Sequence, residues 1–129
     1  MTPTAMQTTT LTPEQRESLR DVLVTDREAT GALIARLLSD LESFTNARTD
    51  SATDDEHDPE GPTLAFERSQ SSAILGQTRI HLAQIESALE RLDGGTYGTC
   101  VTCRKPIPVA RLEVRPYSTQ CVACASKVR

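Results

Sequence analysis

Apolar residues recur at steps of three and four along the first third of the chain: Leu19, Val22, Leu23, Leu33, Ile34, Leu37, Leu38, Leu41 and Phe44. That spacing gathers them on one face of a helix. Just ahead, Thr12-Pro13-Glu14-Gln15 has the form of a helix start. Thr12 can cap, Pro13 suits the first helical position, and Gln15 stands three residues past the cap, as in a capping box. The pattern predicts a helix over about 12–48. The stripe thins over Thr25–Thr30, which predicts looser packing there. A second stripe runs through Leu75, Leu82, Ile85, Leu89 and Leu92, with Thr78 filling its gap and Ile74 and Ala88 widening it. Its mean step of about 3.5 is the coiled-coil period. It predicts a helix over about 64–93, closed by Asp93-Gly94-Gly95, since glycine readily takes the left-handed position past a helix end. Gly76 is a weak point inside it, costing roughly 1 kcal/mol against alanine if exposed.

Neither helix can bury its stripe alone, and no further periodic segment comes after them to complete a bundle. Packing the two against each other as an antiparallel hairpin is the economical solution. The expected fold is mainly α: a long antiparallel coiled-coil hairpin over 12–95, joined to a small C-terminal lobe over 96–129. Residues 1–11 read as a Thr-rich disordered tail. The connection over about 49–63 reads "TDSATDDEHDPEGPT" and holds Asp50, Asp54, Asp55, Glu56, Asp58 and Glu60 with no Lys or Arg. It becomes an acidic tip. Of the two histidines, His57 falls in this tip and His81 beside the second stripe; both read as ordinary surface or half-buried side chains.

Composition adds a need for a staple. The 129 residues include only two Phe, two Tyr and no Trp, and a core so poor in large side chains usually needs a metal, disulfides or a helix seam. The net charge of −4 argues against a general nucleic-acid binder. It also conceals a polarity. The lobe sets Arg104, Lys105, Arg111, Arg115, Lys127 and Arg129 against Glu113, a net of +5. The apolar runs are too short to span a membrane. The start, "MTPTAMQTTT", has neither the basic nor the apolar region of a secretory signal. A cytoplasmic protein is expected, in which four cysteines favour a metal over disulfides.

Cys100, Cys103, Cys121 and Cys124 have the spacing C-x2-C-x17-C-x2-C, within the range of four-cysteine zinc sites. Two such knuckles close a tetrahedron of sulfurs around one ion and leave no position for water, so the zinc is structural rather than catalytic. A redox C-x-x-C pair would sit on a strand-to-helix turn, and nothing here alternates in that way.

The run "YGTCVTCRKPIPVARLEVRPYSTQCVAC" resembles the zinc finger of the DksA/TraR family of bacterial transcription regulators. Tyr97-Gly98, Ile107, the stretch Ala110–Pro116 and the two knuckles carry the resemblance, and the hairpin with its acidic tip extends it. The resemblance implies a monomeric, non-enzymatic protein that binds RNA polymerase through the secondary channel rather than reading DNA. The tip would lie near the active centre and the finger on the channel rim, with Arg111 and Arg115 among its partner-facing residues. The family's pair of tip aspartates, three apart, is matched by Asp55 and Asp58. Asp54 and Glu60 stand in support, and Glu60 takes the place of an alanine. Two basic positions associated with the alarmone ppGpp become Gln84 and Ala125 while Arg115 remains, so a poor ppGpp response is expected. Arg104 stands where a glycine usually succeeds the second cysteine. Two alternatives stay open: a Gre-like factor whose tip carboxylates hold Mg²⁺ and stimulate transcript cleavage, and a zinc-finger nucleic-acid binder. The latter lacks aromatic platforms for stacking on single strands.

Overall fold

A computed structural model describes the backbone of residues 11–52 and 61–127 and the side chains of 11–46 and 62–127. Its four helices are, in order, α1 (Pro13–Ala52), α2 (Gly61–Gly94), α3 (Val109–Val114) and α4 (Val122–Ser126). Among the described residues there is no strand beyond a single antiparallel bridge, Thr99 with Pro106. The fold class expected from the sequence is therefore present: two long helices and a C-terminal four-cysteine lobe. α1 runs four residues past the expected end and α2 begins three residues early.

Local chemistry accounts for the helix ends. The Thr12 amide donates to Gln15 Oε1 at 2.9 Å and the Gln15 amide donates to Thr12 Oγ1 at 3.0 Å, a reciprocal capping box. α2 closes where Gly95 turns left-handed, at φ 86°. The Thr96 and Tyr97 amides then donate back to the Arg91 carbonyl at 3.0 and 3.1 Å, satisfying an end that would otherwise be bare.

The chain forms two compact units. The first combines α1 up to Glu28 with everything from Ala83 onward. The start of α1 meets the end of α2 there, so the helices run antiparallel. The Arg16 guanidinium donates to the Leu92 carbonyl at 3.0 Å, and Arg20 pairs with Asp93 at 3.0 Å. One core joins Leu19 and Leu23 of α1, Ile85, Ala88, Leu89 and Leu92 of α2, and Tyr97, Cys100, Ile107, Leu112 and Cys124 of the lobe. The lobe thus has no separate interior. Its cysteines pack into the apolar cluster that closes the hairpin, and a buried Leu or Ile contributes about 1.5–3 kcal/mol to it.

The second unit, Ala29–Leu82, buries Thr30 and Leu37 on α1 and Leu75 and Thr78 on α2. Thr78 fills the gap in its stripe as expected, its hydroxyl donating to the Ile74 carbonyl one turn back at 2.7 Å. Thr30, at the end of the thinned stretch, is only 5% exposed. It lies seven residues from both Leu23 and Leu37 and so keeps the heptad. Val22, Leu38 and Ile74, assigned to the stripes, are instead exposed. Each neighbours a buried leucine, about 100° further round the helix. A contact between two helices covers only a narrow seam, so the adjacent apolar residue is left in solvent.

Candidate metal centre

The lobe is built from turns that bring two distant knuckles together. Gly98, left-handed at φ 90°, accepts the Ile107 amide at 2.7 Å, and the Cys100 amide donates to the Lys105 carbonyl at 2.9 Å. These bonds close the first knuckle into a loop. The Arg104 amide returns to the Cys100 carbonyl at 2.9 Å, which needs a left-handed residue, and Arg104 supplies it at φ 67°. Arg104 takes this glycine-like backbone with a long side chain, and the turn's hydrogen bonds are present. Between the knuckles, α3 starts after Pro108 and buries Leu112. The second knuckle opens α4, Cys121 standing just before its first residue. Two contacts bind the knuckles to each other. The Val101 amide donates to the Thr119 carbonyl at 2.9 Å, and Gln120 Nε2 donates to Thr102 Oγ1 at 2.9 Å.

The result places Cys100, Cys103, Cys121 and Cys124 with all four sulfurs within 4.8 Å of one another. Cys103 and Cys121, from different knuckles, stand 3.8 Å apart. Four sulfurs at about 2.3 Å from a central zinc would be separated by about 3.8 Å along each tetrahedral edge, so the spacing fits the ion. None of the four forms a disulfide. Cys100 and Cys124 are buried and the other two half-buried, which leaves the centre shielded by protein.

The thiols are unequal. Burial pushes Cys100 up, but the amides of Cys103, Cys121 and Thr102 and the Cys103 side chain outweigh it and hold Cys100 at about 6. The amide of Cys124 lowers Cys121. Cys124 is pushed up to about 12, first by the Cys121 side chain, then by burial and the other sulfurs. Four thiolates so close repel one another, and the last one keeps its proton. A dication held by the four sulfurs would offset the repulsion and favour loss of that proton. With four thiolate ligands zinc supplies cohesion and no open coordination position.

Arg111 and Arg115 lie one helical turn apart. Arg111 Nε donates to the Gln120 carbonyl at 2.8 Å, and the Arg115 guanidinium lies over the Tyr117 ring at 5.5 Å. Gln84 is exposed and Ala125 half-buried. His81 is half-buried, as expected. Asp54, Asp55, Asp58, Glu60 and His57 lie outside the described residues. Sequence reasoning overlooked Arg91, whose guanidinium packs on Tyr97; in the sequence it reads as an ordinary charged residue at a helix end.

Residues 95–129 match the family model of the prokaryotic dksA/traR C4-type zinc finger. The chain is 38% identical over 65 residues to the uncharacterized protein YteA of Bacillus subtilis, across 50% of this chain and 27% of that protein. It is 31% identical over 74 residues to general stress protein 16O of the same organism, across 57% of this chain and 45% of that protein. It is 44% identical over 41 residues to the RNA polymerase-binding transcription factor DksA of Caulobacter vibrioides, across 32% of this chain and 29% of that protein. These matches span less than half the length of each relative. The fold is similar to that of transcription factor DksA2 from Pseudomonas aeruginosa, with a TM-score of 0.74, 24% identity, and coverage of 98% of this chain and 88% of that one. That likeness concerns the fold. The four converging thiols of this lobe fall within the residues that match the dksA/traR C4-type zinc-finger family, and the two-helix hairpin has the fold of DksA2.

Proposed function

We propose that the chain is a transcription regulator that binds RNA polymerase by protein–protein contact and performs no chemistry of its own. One observation carries the reading: a dksA/traR-type finger shares its core with the base of a two-helix hairpin whose fold matches a transcription factor along nearly the whole chain. A relative in Caulobacter is an RNA polymerase-binding factor. In this reading the hairpin enters the secondary channel. Asp55 and Asp58, with Asp54 and Glu60 in support, act near the active centre and modulate initiation. Arg111 and Arg115 face the partner. The Gln120 carbonyl and the Tyr117 ring hold them in place, and fixed guanidinium groups suit acidic side chains on a protein surface. With Gln84 and Ala125 in place of cations, ppGpp binds poorly. The protein works as a monomer in the cytoplasm.

Capture of core RNA polymerase by the zinc-loaded chain, then transcription from purified promoters, tests the proposal. Binding with altered initiation is expected. Strong stimulation of transcript cleavage in stalled complexes would assign the Gre-like activity instead. Tight, sequence-selective binding to free duplex DNA without polymerase binding would overturn the proposal in favour of a nucleic-acid-binding finger.

A further inference from the structure

Arg91 stands in the last turn of α2. Its Nε, Nη1 and Nη2 are shielded from solvent, and none has a hydrogen-bond partner among the described residues. A guanidinium carries five donors and stays charged in proteins. Burying it without acceptors is unfavourable, and an apolar side chain of similar length would fill the space at less cost. Its presence therefore calls for another explanation than stability.

Its neighbour supplies one. The Arg91 guanidinium carbon lies 5.8 Å from the centre of the Tyr97 ring. Tyr97 is fully buried and donates its hydroxyl to the Pro116 carbonyl at 2.6 Å. Its amide donates to the Arg91 carbonyl at 3.1 Å. The ring is thus held at its backbone by α2, at its face by the guanidinium and at its far edge by the segment after α3. Tyr97 is the first buried side chain of the lobe after the α2 terminus, so the direction of its ring sets the direction in which the finger leaves α2. A planar cation on a ring face favours stacked geometry, whereas an aliphatic contact tolerates many.

We infer that Arg91 is a positioning residue: its buried guanidinium, laid on the Tyr97 ring, selects one orientation of the finger on the last turn of α2, at the expense of stability. Such use of a buried charge for uniqueness rather than stability has precedent in designed and natural cores. The inference is independent of which partner the protein binds.

Amide hydrogen exchange on the zinc-loaded full chain, read residue by residue, tests it. In Arg91→Met, exchange at Thr96 and Tyr97 is expected to quicken at least tenfold. Leu23 and Leu89, inside the helices of the same core, keep the parent rate or exchange more slowly. A general loss of stability would quicken all four together, and that outcome overturns the proposal, as does unchanged protection at Tyr97. An Arg91→Met chain that fails to fold refutes the claim about stability, and Arg91→Lys then decides the claim about orientation. Lysine keeps the charge without the planar face, so selective loss of protection at Thr96 and Tyr97 supports it and parental protection overturns it.

Discussion

Arg104 shows how a single backbone angle becomes a measurable stability. A side-chained residue at φ 67° bears a left-handed penalty of about 1 kcal/mol. Arg104→Gly removes it, offset in part by the greater freedom of glycine in the unfolded chain. A net gain of about 0.5 kcal/mol in thermal unfolding of the zinc-loaded protein is expected, with zinc content unchanged; a loss would show that the Arg104 side chain contributes more than its backbone costs. The cysteines set a pH dependence by the same kind of local reasoning. Cys100 is held at about 6, below the ordinary thiol value of about 8.5. A lowered value in the folded state favours folding above the ordinary value, and that contribution disappears as pH falls through the folded one. Zinc release should increase as pH falls, because protons compete with the ion for the four thiolates. A colorimetric chelator in graded buffers would check this; zinc release that increases toward alkaline pH would contradict it.

The helices carry their own contrasts. Gly76 is exposed inside α2 and a methyl group there would meet nothing within 4 Å. Gly76→Ala is expected to stabilise by about 1 kcal/mol. Gly95 also has free space around it but stands at φ 86°, where a side chain is strained. Gly95→Ala should destabilise by about 1 kcal/mol, so the same substitution changes sign 19 residues along, visible as opposite shifts in denaturation midpoint. The seam gives a second contrast. Ile85 is wholly buried and Val22 half-exposed although both fit the apolar periodicity. Ile85→Ala is expected to cost about 3 kcal/mol and Val22→Ala under about 0.5 kcal/mol. Equal losses would mean that the seam is wider than two helices can cover.

For the molecule as a whole, the shared core ties the finger to the hairpin. Cys100 and Cys124 pack with Leu19, Leu23 and Ile85, so loss of zinc should be felt in the helices. Cys121→Ser is expected to lower zinc content and thermal stability together, with helix content at α1 and α2 falling in circular dichroism before the parent unfolds. Full zinc occupancy in that variant would refute the four-thiolate centre. The proposed function separates binding from action. Asp55→Asn with Asp58→Asn should abolish regulation in transcription assays while polymerase affinity stays within about tenfold, roughly 1.4 kcal/mol. Unchanged regulation would place the activity away from these two carboxylates.

The amino-acid sequence by itself determined what is set by local rules. Thr12 and Gln15 cap because their spacing allows it, Gly95 ends α2 because it has no Cβ, and the paired C-x2-C knuckles announce a metal because few other arrangements use four thiols at that spacing. Apolar periodicity likewise revealed two helices that must pair. Which residues of each stripe are buried was decided only in three dimensions. Thr30 went inside and Val22, Leu38 and Ile74 stayed out, because a seam between two helices is narrower than the stripe that announces it. The union of finger and hairpin in one core was also beyond sequence reading, since it depends on Tyr97, Ile107 and Leu112 meeting residues far away in the chain. Arg91 is the sharpest case: its place on the Tyr97 ring, with no acceptor for its nitrogens among the described residues, exists only once the end of α2 and the start of the finger have folded onto each other.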